Sequence, residues 1–70
     1  MNYTVIYEAT PTGYSAYVPD LPGCVAAGSS REEVEKLIRS AVREHVRLLR
    51  DLGQPVPAST TQSGVVAVGG

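Results

Sequence analysis

The chain holds one cysteine and one histidine, Cys24 and His45, and these are its best candidates for nucleophilic or general-base chemistry. A reactive thiol needs a base beside it, and a metal site needs several donors at short, recognisable spacings. Nothing in the sequence pairs Cys24 with His45 or supplies further nitrogen or sulfur ligands, so both read as packed side chains. The carboxylates Glu8, Asp20, Glu44 and Asp51 raise a second chemistry, since two-metal phosphodiester cleavage needs several acids within a few ångströms. Glu44 and Asp51 share a helix side, and Glu8 with Asp20 would have to serve a residual metal-dependent nuclease. No glycine-rich phosphate cradle ends in Lys-Ser or Lys-Thr. The sequence therefore predicts no catalytic residue, no metal ligand and no cofactor.

Lys36, Arg39, Arg43, Arg47 and Arg50 recur at intervals of three and four, which puts them in one stripe of a helix. Such a stripe suits phosphates of a nucleic acid or an acidic protein. It is also what the solvated side of any amphipathic helix looks like, placed opposite the apolar side and diluted by Glu32, Glu35, Glu44 and Asp51. The formal charge of −1 supplies no global attraction to nucleic acid.

These residues depend on a helix whose start is sharply marked. Ser30 is placed to accept from the Glu33 amide, and the Glu33 carboxylate to reach back to the Ser30 amide, as in a capping box. From Val34, the residues Leu37, Ile38, Ala41, Val42, His45, Leu48, Leu49 and Leu52 follow a 3.6-residue period, predicting a helix over Arg31–Leu52. Gly53 and Pro55 end it. Leu48 belongs to the expected buried ridge.

Upstream, Tyr3–Tyr7 and Tyr14–Val18 are aromatic and β-branched runs on either side of Thr10-Pro11-Thr12-Gly13, which predicts a hairpin. Pro19-Asp20-Leu21-Pro22-Gly23 is a stiff turn, because each proline lacks an N–H and restrains its predecessor. Cys24–Ala27 reads as a third strand. Residues 54–63 are a Pro-, Ser- and Thr-rich linker, and Val65–Val68 suits a last strand before a frayed end. The organisation is thus a core over 1–53, a linker over 54–63 and a terminal strand within 64–70.

A chain of 70 residues buries only a small core, and a lone cysteine cannot brace it with an internal disulfide. A reducing, cytoplasmic setting fits, with no apolar run long enough for a membrane span. Tyr14 and Tyr17 fall on opposite faces of their strand, and one helix covers one face of a sheet. Aromatic surface is therefore expected to remain for another subunit or partner, where tyrosine combines apolar area with a polar tip.

The passage from Gly13 to Gly28, with Tyr14, Tyr17 and Pro19-Asp20-Leu21-Pro22-Gly23-Cys24, leads into Ser30, Glu32, Glu33 and the apolar helix, and together these resemble the HicB-like antitoxin family. The resemblance covers roughly residues 3 to 50. It implies an α+β fold of two layers in the order β-β-β-α-β, a partial ribonuclease-H-like fold that has lost catalysis. It also implies binding to a small RNA-cleaving toxin of the HicA type. Carried onto this chain, the partner-binding surface is Tyr14, Tyr17, Pro19, Asp20, Leu21, Pro22 and Gly23. Longer members add a C-terminal DNA-binding segment, whereas the stretch after Gly53 here is short and poor in helix formers. The expectation is a binding module without DNA binding, self-associated as a homodimer or higher oligomer. A solitary member, whose toxin is absent or unidentified, fits the same departure.

Overall fold

The computed structural model describes residues 1–69 and contains three strands and one helix: β1 (Ile6–Thr10), β2 (Gly13–Tyr17), β3 (Val25–Gly28) and α1 (Arg31–Asp51). The strands form one antiparallel sheet in the order β1-β2-β3, and α1 crosses β2 and β3 on one face. This is the expected α+β, two-layer arrangement. The fourth strand expected at Val65–Val68 does not form among the described residues, and the frayed end expected at Gly70 lies outside them. A run of valines favours extended backbone, but a strand also needs a neighbouring edge, and these residues meet none.

The first strand begins three residues later than the sequence suggests. Register explains the shift: Ile6 is opposite Tyr17 and Thr10 opposite Gly13, so Tyr3–Val5 would have to pair with Val18–Asp20, where the chain already turns at Pro19. Tyr3 and Val5 still pack on the core from outside the ladder. The hairpin closes over Pro11 and Thr12 with no positive φ, so Gly13 is needed for space instead. A Cβ there would lie 2.1 Å from the Gly28 carbonyl oxygen.

Alternation assigns the two faces of the sheet. Tyr7, Ala16 and Ala26 are cross-strand neighbours facing the helix, and Ala16 is buried. On the other face Ile6, Tyr17 and Val25 form the corresponding row. The core consists of Ala16, Val18, Leu21, Cys24, Val34 and Ile38.

Helix α1 is capped at both ends by its own sequence. The Ser30 hydroxyl accepts from the Glu33 amide at 3.1 Å, as predicted. The Glu33 carboxylate, however, accepts from the amide and hydroxyl of Ser29, at 3.2 and 2.8 Å, and not from the Ser30 amide. Ser29 presents its amide and its hydroxyl to the same carboxylate oxygen, while the Ser30 hydroxyl is turned to the Glu33 amide. At the other end Gly53, with φ +67, lets the Gly53 amide reach the Arg50 carbonyl and the Gln54 amide reach the Leu49 carbonyl, a complete Schellman stop.

The apolar face is turned away from where the periodicity centres it. Val34 and Ile38 are buried and Ala41, Val42 and Val46 pack beside them, whereas Leu37, Leu48 and Leu52 are 44, 57 and 61% exposed. Leu37, between Val34 and Ile38 in sequence, lies off the covered side of the helix, and element lengths account for Leu48 and Leu52. Strands of four or five residues extend at most about 17 Å. The helix of 21 residues extends about 31 Å. Its second half therefore overhangs the sheet, and Leu48 is no anchor of the core.

Candidate functional site

The Val18–Cys24 segment is built from two successive β-turns that share Leu21. The Leu21 amide donates to the Val18 carbonyl and the Cys24 amide to the Leu21 carbonyl, both at 3.0 Å, while the Val18 amide closes the base on the Cys24 carbonyl at 3.1 Å. In the second turn Pro22 takes the position that wants a fixed φ, and Gly23, with φ +85, the one that wants a positive φ, the signature of a type II turn. The residue between the turns is driven inward, and Leu21 is fully buried. Leu21 therefore cannot belong to a partner-binding surface as the sequence suggests. It plugs the core from the turn side.

Asp20 is also engaged within the chain. Its carboxylate accepts from the amides of Thr60 and Thr61, at 3.0 and 2.9 Å, and from their hydroxyls, at 3.0 and 2.9 Å. The Thr61 amide is the main reason its pKa lies below the usual carboxylate range; partial desolvation opposes it, and the two hydroxyls and the Thr60 amide add to it. The Thr4 hydroxyl donates to the Thr61 carbonyl at 2.8 Å, and the Tyr3 hydroxyl to the Pro57 carbonyl. Residues 57–61 are thus pinned to the body by the side chains of Tyr3, Thr4 and Asp20, which the composition of this linker does not signal.

The remaining turn candidates divide: Pro19, Pro22 and Gly23 are exposed, Tyr14 packs against the core, and Tyr17 is 40% exposed on the helix-free face. There it stands between Ile6 and Val25, the latter 65% exposed, in a short apolar row leading to the turn. Ile6 and Val25 are missing from the surface that the sequence points to. The alternation of Tyr17 with buried Ala16 is a signal for both once the register is known.

The basic stripe lies on the solvated side of α1, as the sequence suggests, and one edge of it reaches a groove. Lys36, Arg39, Arg43, Arg47 and Arg50 are all exposed, and Arg43, Arg47 and Arg50 border an open groove of about 510 Å³ floored by Tyr3, Val42 and Val46. Arg39 is paired with Glu35 at 3.2 Å, and Glu35 also meets Arg31 at 3.5 Å. The Arg31 guanidinium lies 4.1 Å from the centre of the Tyr7 ring. Among the described residues Lys36, Arg43, Arg47 and Arg50 form no ion pair.

Cys24 is buried, and burial pushes its thiol pKa up, which keeps it protonated and poorly nucleophilic. His45 is half-buried at a shallow depression lined also by Gly23, Cys24, Val25, Ala41, Glu44 and Leu48, so the structure brings Cys24 and His45 to one place that the sequence spacing does not signal. Glu8 is exposed on β1, and Asp20 is turned to the threonines. Among the described residues no three His, Cys, Asp or Glu side chains gather as metal ligands would. No described helix is long and apolar enough to cross a membrane.

The order of these parts, strand pair, double turn with its buried leucine, short strand and serine-capped helix, is matched by one family model. Residues 3–68 fit the model of the HicB-like antitoxin of bacterial toxin–antitoxin systems. This chain belongs to the HicB-like antitoxin family. A UPF0150 protein of Thermoplasma acidophilum is 32% identical over 63 residues, spanning 89% of this chain and 91% of its own length. A UPF0150 protein of Synechocystis is 39% identical over 57 residues, 80% of this chain and 72% of the relative. An uncharacterised 14.9 kDa protein of Haemophilus phage HP1 is 30% identical over 59 residues, 84% of this chain but 44% of the phage protein. The HicB-like match thus extends beyond the helix into the pinned linker and the valine run.

Proposed function

We propose that this HicB-like chain is an antitoxin module that binds and neutralises a HicA-type RNA-cleaving toxin through the helix-free face of its sheet. Family membership over residues 3–68 carries the reading. Its surface is Tyr17 with Ile6 and Val25, continued by Pro19, Pro22 and Gly23. Tyr17 supports that choice because Tyr3, Tyr7 and Tyr14 pack on the core while Tyr17 does not. A rigid aromatic flanked by aliphatic side chains and a proline turn gives a protein partner apolar area at low entropic cost. Asp20 and Leu21 act indirectly, by holding the turn. The fold is a partial ribonuclease-H-like one in which binding has replaced catalysis, and a protonated buried thiol and an Asp20 committed to threonines agree with a non-enzymatic role. The module works in the cytoplasm, where its toxin would attack RNA.

The test is rescue of growth. Expression of a HicA-type toxin, sought first in the reading frame adjoining this one, should arrest cells, and co-expression of this chain should relieve the arrest. Tyr17→Arg should lose that relief with its helical circular dichroism intact. Full relief by the Tyr17→Arg chain would move the surface elsewhere, and no relief by the unaltered chain with any neighbouring toxin would remove the antitoxin reading.

One observation favours a second reading, that Arg43, Arg47 and Arg50 bind nucleic acid: they have no carboxylate partner among the described residues. RNA affinity that falls steeply with salt, and weakens on reversing the charges of Arg43 and Arg47, would support it. Absence of binding at low salt would end it.

A further inference from the structure

The helix-free face of the sheet is too small to hold a protein partner by itself. Three strands of four or five residues, spaced about 4.8 Å apart, make a face of about 14 by about 17 Å, a footprint of roughly 240 Å². A stable complex covers about 800 Å² of accessible surface on each partner. Side-chain relief does not close a gap of that size, and the exposed turn residues Pro19, Pro22 and Gly23 extend the face at one end only. A toxin seated on Tyr17 therefore has to continue past an edge of the sheet.

The two edges lead to different surfaces. Beyond β1 lie the grooves rimmed by Arg39, Arg43, Arg47 and Arg50, with Glu35 and Asp51 as the acids beside them. Beyond β3 lies the shallow depression where Val25 meets Ala41, Glu44 and Leu48 of the helix. Among the described residues no lysine or arginine lines it. Val25 belongs both to the row of Ile6 and Tyr17 and to this depression, so the apolar surface turns the β3 edge without a break. On the helix, Leu37, Ala41, Glu44 and Leu48 are spaced by four, three and four residues and share one flank. Leu37 and Leu48 are both exposed, and contiguous exposed apolar surface marks a place where another molecule binds.

We infer that the toxin-binding surface wraps the β3 edge, and that the flank of Leu37, Ala41, Glu44 and Leu48 takes an aliphatic side chain of the toxin with one of the toxin's lysines or arginines beside it on Glu44. The inference rests on the antitoxin reading. Charge chooses the direction of the wrap: a protein that cleaves RNA carries cations for the phosphates, and these are attracted at Glu44 and repelled by the arginines beyond the other edge. Leu48 and Glu44 then help to select the toxin, because a partner with an acidic residue at this point meets like charge. The overhang of the helix gains a use by the same account. Leu48 contributes little to the core because its contacts are made with the partner.

Titration calorimetry of the full chain with the HicA-type toxin tests this. Leu48→Lys should weaken binding at least tenfold, and Glu44→Lys should weaken it by a smaller factor, each with the helical circular dichroism unchanged because both side chains are exposed. Glu44→Gln should flatten the fall of affinity with salt. Leu48→Lys and Glu44→Lys chains that bind as tightly as the original, where Tyr17→Arg does not bind, would overturn the wrapped surface and leave the antitoxin reading standing. A Tyr17→Arg chain that binds as tightly as the original would remove the helix-free face and the wrap with it. A toxin bound by no form of the chain would remove both readings. Leu48 methyl signals that shift with chain concentration in the absence of toxin would assign the flank to a second copy, and would overturn the inference as well.

Discussion

The two halves of helix α1 carry the same amphipathic pattern and meet different fates. In the first half Val34 and Ile38 are 0 and 1% exposed; in the second Leu48 and Leu52 are 57 and 61% exposed. The residue types do not explain the contrast, since leucine is at least as apolar as valine. Reach explains it: the sheet ends before the helix does, so the second half meets only the N-terminal residues on one side and the rim of the turn at Gly23 and Val25 on the other. Periodicity tells which side of a helix is apolar. What lies opposite that side is decided by the length of the other elements.

Truncating side chains in each half of the helix separates the two environments most strongly. Ile38→Ala should cost about 2–5 kcal/mol in urea unfolding, because a fully buried side chain leaves a cavity and the core has few neighbours to close it. Leu21→Ala should fall in the same range, although it lies in a turn. Leu48→Ala should cost under about 1 kcal/mol, as a side chain already largely in water loses little. Equal losses at Ile38 and Leu48 would mean that both halves of the helix are covered in solution.

A smaller effect is expected where α1 begins. Ser30→Ala should cost about 1 kcal/mol by removing the acceptor of the Glu33 amide. Glu33→Gln should retain part of the contact with Ser29. An unfolding midpoint unchanged by Ser30→Ala would show that the cap contributes nothing.

The clasp gives a pH dependence of definite sign. The Asp20 carboxyl is held below its ordinary range in the folded chain. Its contribution is therefore present above the unfolded value of about 4 and is lost as pH falls through the depressed folded one. Protection of the Thr60 and Thr61 amides from hydrogen exchange should fall below about pH 4, while protection at Ile38 changes little. Asp20→Asn should lower it already at neutral pH. Undiminished protection at Thr60 in that variant would show that something other than the carboxylate holds the linker.

The smallest effect belongs to the stripe. Reversing Arg43 and Arg47 together should shift stability by no more than about 0.5 kcal/mol per site, since exposed residues without partners contribute little to folding. A larger loss would mean that the groove they border is occupied in the free protein.

Much of this was legible in the sequence. Ser30, Glu33 and Gly53 mark the helix ends because caps are local chemistry, and the hairpin around Pro11 is local for the same reason. The turn was recognisable as a turn, but its interior was not: Leu21 reads as one more residue between two prolines until two i to i+3 hydrogen bonds point it inward. The pairing of Asp20 with Thr60 and Thr61 spans 40 residues or more, and no pattern of residue types encodes such a contact. Val65–Val68 shows the converse failure, a good strand sequence with no edge beside it in its own chain. Of the proposed surface, Tyr17 and the prolines follow from the family resemblance, whereas Ile6 and Val25 require the register.

In the proposed division of the sheet, one face belongs to the core and the other to a toxin. Titration of the ¹⁵N-labelled chain with a HicA-type toxin is the decisive test. The amide signals of Ile6, Tyr17, Val25 and Gly23 should move together, with those of Arg43, Arg47 and Arg50 unmoved. Shifts confined to the arginine stripe, with Tyr17 and Val25 unchanged, would refute the division.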